Sequence, residues 1–178
     1  MKLLNLLSFS AILMTSVGFS QSNTPLYLDA NQAVELRLDD LMSRMTLEEK
    51  VYQMNQFVGL DHMREAEKNL SVEDLHSNDA QGFYKGLFSD DVAQMTKEGK
   101  IGSFLHVLTT EEANLLQELA FQSRLKIPIL IGIDAIHGNA LVSGTTVYPS
   151  PISLASTWSD TFLYDVGKQS AKEMRATG

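Results

Sequence analysis

The sequence predicts an α/β fold in which parallel strands alternate with helices, preceded by an N-terminal helical segment. Two compact apolar runs, Ile101–Leu108 and Ile127–Asp134, have the length and continuous apolar character of buried strands. Each is followed by a segment with helical spacing, so the order is strand, helix, strand, helix. Because short links return each crossover helix to the sheet, this order indicates parallel strands. The pattern fits both an open doubly wound sheet and the first quarter of a (β/α)8 barrel.

The helix between the two predicted strands begins at a capping box formed by Thr109 and Glu112 and runs to about Arg124. Its apolar residues share one side of the helix, and they are Leu115, Leu116, Leu119 and Ala120. The last helix is predicted from about Ser159 to Ala176. Its predicted core face consists of Phe162, Val166 and Ala171.

The chain before these strands is predicted to be helical from Asn31 to about Leu60, in two pieces. The first piece has an apolar stripe at helical spacing, made of Leu38, Leu41, Met42 and Met45. The second begins at a capping box in which the Thr46 hydroxyl accepts from the backbone and Glu49 reaches back. Its predicted buried face is Leu47, Val51 and Met54. Both pieces are interpreted as packing helices without chemistry of their own.

Residues 61–91 are predicted to form a long surface excursion, because they are rich in charge and show no strong hydrophobic face. A short helix capped at Ser71 fits within it. His62 and His76 have no partner ligands at metal spacing, so both are interpreted as solvated surface residues.

The first 20 residues have the features of a secretory signal peptide: Lys2, an apolar run from Leu3 to Val17, and small residues at Gly18 and Ser20. The run is shorter than the roughly 20 residues of a membrane-spanning helix, so no stable membrane anchor is expected. We expect cleavage near residues 20–21 and a mature protein in the periplasm or outside the cell. The predicted organisation is a signal peptide over 1–20, a helical segment with the surface excursion over 21–100, and an α/β domain over 101–178.

The composition is that of an ordinary globular protein, with 44% hydrophobic residues, 20% charged residues and a formal net charge of −8. This balance argues against nucleic acid as a partner, since phosphate binding requires clustered Lys and Arg. The 14 basic residues are instead spread along the chain. The chain has no cysteine, so its fold must rely on a hydrophobic core.

Asp134 ends the second predicted strand and opens the loop "GIDAIHGNALVSGTTVYP". In parallel α/β folds the carboxyl ends of the strands carry the active site. An ionised carboxylate there can accept charge-assisted hydrogen bonds from the paired hydroxyls of a sugar. The alternative is that Asp134 only holds the turn by accepting from backbone N–H groups.

Two histidines are candidates for the same site. His137 follows Asp134 by three residues, but no third metal ligand is nearby, so we expect it to shape the loop or line a sugar pocket. His106, at the end of the first predicted strand, either faces this pocket or is a packed, hydrogen-bonded core residue. No metal and no cofactor is expected.

Several ordered motifs resemble glycoside hydrolase family 3. "GIDAIHGN" followed by "TTVYP" is similar to the family segment "GIDAVHG…TxFP", and "MTLEEK" resembles the helix start that opens these enzymes. "KIGSFL" resembles their first barrel strand, and "SRLKIPILIGIDAIHG" and "KEMRATG" match as well. The similarity spans about residues 33–178 and is weakest over 61–91.

The resemblance implies a (β/α)8 barrel, of which this chain would contribute the first two strand–helix repeats. It implies retaining hydrolysis of a β-linked glucoside or oligosaccharide, with no cofactor, and it places Asp134 on hydroxyls of the sugar in the −1 subsite. In the family the nucleophilic Asp and the general acid Glu lie beyond the position of Gly178, so no catalytic residue is expected in this chain. We therefore expect the 178-residue polypeptide alone to be inactive.

Three alternatives remain open at this point. The chain resembles the β-glucosidase branch more than the β-N-acetylhexosaminidase branch, which typically carries an "IDQEGG"-like sequence at this loop. A non-catalytic sugar-binding remnant and an unrelated doubly wound binding protein are the other two possibilities.

Overall fold

The computed structural model describes residues 24–69, 71, 84 and 86–177 of the chain. The predicted signal peptide over residues 1–20, the helix predicted after Ser71, and His76 lie outside the described residues. By its internal contacts the chain divides into two compact units, Met1–Arg44 and Met45–Gly178. Among the described helices, none combines the length and the apolar character that crossing a membrane requires.

The described part of the first unit consists of a short 3-10 helix, Leu26–Leu28, and helix α1, Val34–Arg44. The two are joined by hydrogen bonds to the backbone of the buried Tyr27: its N–H donates to Asp40 Oδ2 at 3.0 Å, and its carbonyl accepts from Arg37 Nε at 3.0 Å. A hydrogen bond from Arg44 is the main reason that the pKa of Asp40 lies below its usual value. The first predicted helix is thus confirmed.

The second unit is built on a three-stranded parallel sheet in the order β1, β2, β3. Its strands are β1 (Gln56–Val58), β2 (Ser103–Leu105) and β3 (Leu130–Gly132), with Phe57, Phe104 and Ile131 in register across the middle. The predicted α/β class with parallel strands is confirmed. The helices around the sheet are α2 (Leu47–Tyr52), α3 (Leu60–Asn69), α4 (Ser89–Lys97), α5 (Thr110–Ala120), α6 (Pro151–Ala155) and α7 (Asp160–Thr177).

The hydrophobic core joins the sheet to helices α3, α4 and α5. Phe104 of the central strand is completely buried, and the fully or almost fully buried residues around it are Leu60, Met63, Val92, Ile101 and Leu116. Burying side chains of this size contributes roughly 1.5–3 kcal/mol each. The core therefore fixes the sheet and the three helices as one unit.

The helical interpretation of residues 56–58 is wrong, because these residues form β1. Asn55 redirects the chain after α2: its carbonyl accepts from the backbone N–H groups of Gly102 and Ser103, and its side chain donates to the Lys100 carbonyl at 3.0 Å. A three-residue strand is too short for its periodicity to be recognised. The sheet consequently begins well before Ile101.

The interpretation of residues 61–91 as an excursion without a hydrophobic face also needs correction. Helix α3 occupies the first part, and its Met63 is fully buried next to Leu60. Helix α4 begins within the last part, with Val92 fully buried. Each helix contributes so few apolar residues that the surrounding charges conceal the buried stripe.

The last predicted helix exists as α7, but its predicted core face is wrong. None of its described residues is buried: Phe162 and Ala171 are exposed, and Val166 is half-buried. Polar contacts near the carboxyl end of α7, described below, join it to the loop that follows Asp134. Similarly, β3 is not covered on both faces as predicted, because Leu130 is 74% exposed.

The predicted buried face of α2 is wrong, because Leu47, Val51 and Met54 are all exposed. Its capping box is complete, as predicted. Glu49 N donates to Thr46 Oγ1 at 3.2 Å, and Thr46 N donates to Glu49 Oε2 at 2.9 Å. Glu49 also accepts from Arg124 Nε at 2.9 Å, and this partner is the largest cause that lowers the pKa of Glu49. The start of α2 is thereby tied to the segment that follows α5.

Gly102 provides a test of this packing. A Cβ at Gly102 would lie 2.1 Å from the Gln53 carbonyl oxygen, so we expect Gly102→Ala to lower the free energy of unfolding by about 2 kcal/mol or more. Gly167→Ala, inside α7 with no atom within 4 Å of the new Cβ, is the matched control. It should raise the free energy of unfolding by about 0.5–1 kcal/mol. Urea unfolding followed by circular dichroism measures both, and equal effects of the two substitutions would contradict this packing.

Candidate functional site

The candidate site lies at the carboxyl edge of the sheet, where His106 follows β2 and Asp134 follows β3. Because the two strands are parallel neighbours, their carboxyl ends meet at this edge. His106 Nε2 lies 3.6 Å from Asp134 Oδ2. The side chain of Asp134 is 60% exposed and that of His106 is 25% exposed. The structure thus brings together two of the residues that the sequence indicated.

The position of His106 is fixed by its backbone. Its N–H donates to the Gly132 carbonyl at 2.9 Å, one step past the end of the β2–β3 ladder. Its φ of 60° is in the left-handed region, which few residues other than glycine adopt. Its Nδ1 is buried without a hydrogen-bond partner in the described structure, while Nε2 faces Asp134. His106 therefore lies beside Asp134, and in the described structure it is not the hydrogen-bonded core residue of the alternative prediction.

The loop after Asp134 is folded back on itself. Tyr148 N donates to the His137 carbonyl at 2.8 Å, and Thr145 Oγ1 donates to the Asn139 carbonyl. Gly138 has a φ of 84°, and a Cβ there would lie 2.2 Å from the Thr146 carbonyl oxygen. Only glycine permits this close approach of the two sides of the loop.

Helix α7 holds the same loop at two points. Glu173 accepts from Thr146 N at 2.9 Å and from Thr146 Oγ1 at 2.8 Å, and Thr177 Oγ1 accepts from the Asn139 side chain at 3.3 Å. Hydrogen bonds from Gln169 first and from Thr146 next lower the pKa of Glu173. Sequence reasoning missed this role, although Glu173 and Thr177 are four residues apart and therefore share one face of the helix.

His137 contributes to the shape of the loop through its backbone carbonyl, which accepts from Tyr148. Its Nδ1 is buried, with no hydrogen-bond partner in the described structure. Within the described ranges no group of three or more His, Cys, Asp or Glu side chains is arranged to hold a metal ion.

A buried acid, Glu112, supports the same edge of the sheet. Its carboxylate accepts from Asp61 N at 3.0 Å, at the start of α3, where the helix dipole favours negative charge. Half of its predicted capping box is present, since Glu112 N donates to Thr109 Oγ1 at 3.1 Å. The Glu112 carboxylate does not reach back to Thr109, because it accepts from the first turn of α3 instead. A Cβ on Gly59 would lie 2.8 Å from Glu112 Oε1 and 2.9 Å from the His106 carbonyl. Gly59 therefore lies between Glu112 and the turn that carries His106.

Comparison with known proteins identifies the fold that surrounds this site. Residues 46–178 match the model of the glycosyl hydrolase family 3 N terminal domain. The chain belongs to glycosyl hydrolase family 3. The resemblance seen in the loop motif at Asp134 is thereby confirmed at the level of the family.

Several curated proteins are similar in sequence to this chain. A periplasmic beta-glucosidase of Salmonella typhimurium is 28% identical over 158 residues, covering 88% of the chain and 16% of that protein. A probable beta-glucosidase C of Aspergillus oryzae is 31% identical over 149 residues, covering 79% and 22%. A beta-xylosidase of Formosa agariphila is 34% identical over 85 residues, covering 44% and 12%. The chain thus spans less than a quarter of the length of each of these relatives.

The buried carboxyl of Glu112 leads to a pH-dependent prediction. Burial raises its pKa above the ordinary value of 4.5, so the folded protein binds this proton more tightly than the unfolded chain does. The resulting stabilisation is present below about pH 4.5 and is lost as the pH rises from there through the raised pKa. Relative to Glu112→Gln, the wild type should therefore lose free energy of unfolding as the pH rises above 4.5.

Denaturant unfolding at a series of pH values measures this difference. Glu111→Gln is the control for the loss of one acid from α5, because Glu111 is an exposed neighbour of Glu112. A stability difference between wild type and Glu112→Gln that stays constant, or that grows in favour of the wild type with rising pH, would contradict the prediction.

Proposed function

We propose that the whole protein is an exported retaining β-glycosidase of the β-glucosidase type, and that Asp134 binds hydroxyl groups of the sugar in its −1 subsite. The observation that carries this proposal is the exposed Asp134 carboxylate at the carboxyl edge of a parallel sheet, within a family 3 domain. Active sites of parallel α/β proteins are built at this edge.

The environment of Asp134 suits the binding of hydroxyl groups. Its side chain is 60% exposed, and the His106 imidazole lies beside it, with Nε2 at 3.6 Å from Oδ2. Oδ2 faces this imidazole, so Oδ1 and the remaining lone pairs of Oδ2 are available to hydroxyl donors. Charge-assisted hydrogen bonds of this kind are about twice as strong as neutral ones. They also contribute to catalysis where they tighten as the sugar ring distorts.

The retaining reaction itself requires two further carboxylates, about 5–5.5 Å apart, one as nucleophile and one as acid and base. We place both in family segments other than the one that residues 46–178 match. The role of the present chain is then to bind the hydroxyl groups of the sugar while those two carboxylates cleave the glycosidic bond. In this proposal the polypeptide of residues 1–178 does not hydrolyse aryl β-glucosides by itself.

Further features of the proposal rest on the relatives and on the local pattern. The three parallel strands fit the opening of a (β/α)8 barrel. The beta-glucosidase names of the relatives, which match 79% and 88% of the chain, favour a β-linked glucoside as the substrate. Export through a signal peptide over residues 1–20 agrees with the periplasmic relative. The loop sequence Ala135–His137 favours this branch over the β-N-acetylhexosaminidases.

The binding role is tested by Asp134→Asn in the whole protein. The substitution removes the charge but keeps the size of the side chain, so we expect kcat/KM for an aryl β-glucoside to fall about 100-fold or more, because several charge-assisted bonds to the sugar weaken. Glu118→Gln, an exposed acid on α5, is the matched control and should keep wild-type kinetics. Steady-state kinetics with an aryl β-glucoside and an aryl β-xyloside measures both the loss and the substrate preference. Near-normal kinetics of Asp134→Asn would refute the binding role.

A further inference from the structure

We propose that His106 is a positioning residue for Asp134: in the complex with the sugar its Nε2–H donates to Asp134 Oδ2 and holds the carboxylate in the orientation that binds the sugar. This inference rests on the proposed function, because it concerns the same carboxylate. It is carried by three features of the structure, namely the backbone turn at His106, the burial of Nδ1, and the direction of Nε2.

The backbone turn places the two side chains beside each other. His106 N donates to the Gly132 carbonyl at 2.9 Å, and Asp134 follows Gly132 by two residues. The left-handed φ of 60° at His106 is strained for a residue other than glycine. Such strain persists where the surrounding structure imposes it, and it is concentrated at functional sites. The strained turn at the end of β2 therefore points to a role for the side chain that it directs.

The hydrogen-bonding capacity of the imidazole identifies the tautomer. A neutral imidazole carries one N–H, on either Nδ1 or Nε2. Nδ1 has no partner in the described structure in either tautomer, so the contact of Nε2 decides between them. A proton on Nδ1 would turn the Nε2 lone pair toward a carboxylate, which is repulsive. A proton on Nε2 instead creates a charge-assisted hydrogen bond to Asp134. The Nε2–H tautomer is therefore the one that this site stabilises.

The distance between the two groups fits a contact that closes when substrate binds. At 3.6 Å, Nε2 and Oδ2 are just beyond hydrogen-bond length, and hydrogen bonds in unliganded active sites tighten in the complex. Without this donor the largely exposed carboxylate would have to be ordered by the sugar itself, at a cost in side-chain entropy. Because Nε2 already lies 3.6 Å from Oδ2 in the unliganded protein, only a short movement of the carboxylate completes the bond, and His106 reduces that cost.

The test compares two amides that differ by one CH2 group, His106→Gln and His106→Asn, in the whole protein. The Gln amide reaches about as far as the imidazole Nε2, so it keeps the donor. The Asn amide is too short to reach Asp134, although Asn tolerates the left-handed backbone well. We expect His106→Asn to lower kcat/KM for an aryl β-glucoside about 10-fold or more, and His106→Gln to recover most of that loss.

The same two substitutions are then made in the Asp134→Asn background, where we expect neither to cause a further loss. Gln122→Asn, the same shortening at an exposed position after α5, is the control and should keep wild-type kinetics. Thermal unfolding of each variant establishes that it is folded. Equal losses in Gln and Asn, losses that add to that of Asp134→Asn, or wild-type activity of His106→Asn would each overturn the positioning role.

The failure of this inference is distinguishable from the failure of the proposed function. Near-normal activity of Asp134→Asn alone would refute the binding role of Asp134, and the positioning role would fail with it. A large loss in Asp134→Asn together with wild-type activity in His106→Asn would refute only the positioning role.

Discussion

The backbone ladder between the three strands is the constraint on which the candidate site depends. Each strand is only three residues long, but the ladder continues one step further at its carboxyl end. Gly59 N donates to the Leu105 carbonyl and His106 N donates to the Gly132 carbonyl, both at 2.9 Å. These bonds fix the turns that leave the sheet, and the core beneath Phe104 holds the ladder in place. The approach of the imidazole to the Asp134 carboxylate is therefore set by the backbone rather than by the attraction between the two groups.

The loop that begins at Asp134 needs its own support, because a loop of this length would otherwise lose conformational entropy when a ligand orders it. The support comes from Gly138, whose lack of a side chain lets the loop close, and from α7, which binds Thr146 through Glu173 and Asn139 through Thr177. Motifs around residues 134–149 and 172–177 are thus parts of one structure, although they are separate segments of the sequence. Helix α7 serves the site through polar contacts and not through a buried apolar face.

Sequence patterns identified the features that are encoded locally. The apolar runs predicted β2 and β3, and the Thr46–Glu49 spacing predicted the start of α2. The position of Asp134 at the end of a strand indicated the candidate site. Features that depend on distant partners were missed. Strand β1 is defined by its pairing with β2. The Glu112 carboxylate accepts a hydrogen bond from Asp61 N, which is 51 residues away in the chain at the start of α3. The exposed face of α7 was predicted as buried because periodicity shows which residues share a face but not what covers them.

The central claim is that the Asp134 carboxylate binds the sugar at the carboxyl edge of this sheet. A crystal structure of the whole protein soaked with glucose, or with a glucoside that is not hydrolysed, tests this claim most directly. We expect hydroxyl groups of the sugar within about 2.5–3.0 Å of Asp134, the distance of an O–H···O⁻ hydrogen bond, with His106 Nε2 in contact with the same carboxylate. A sugar bound in the active site with no hydroxyl near Asp134, or with Asp134 turned away from it, would contradict the account.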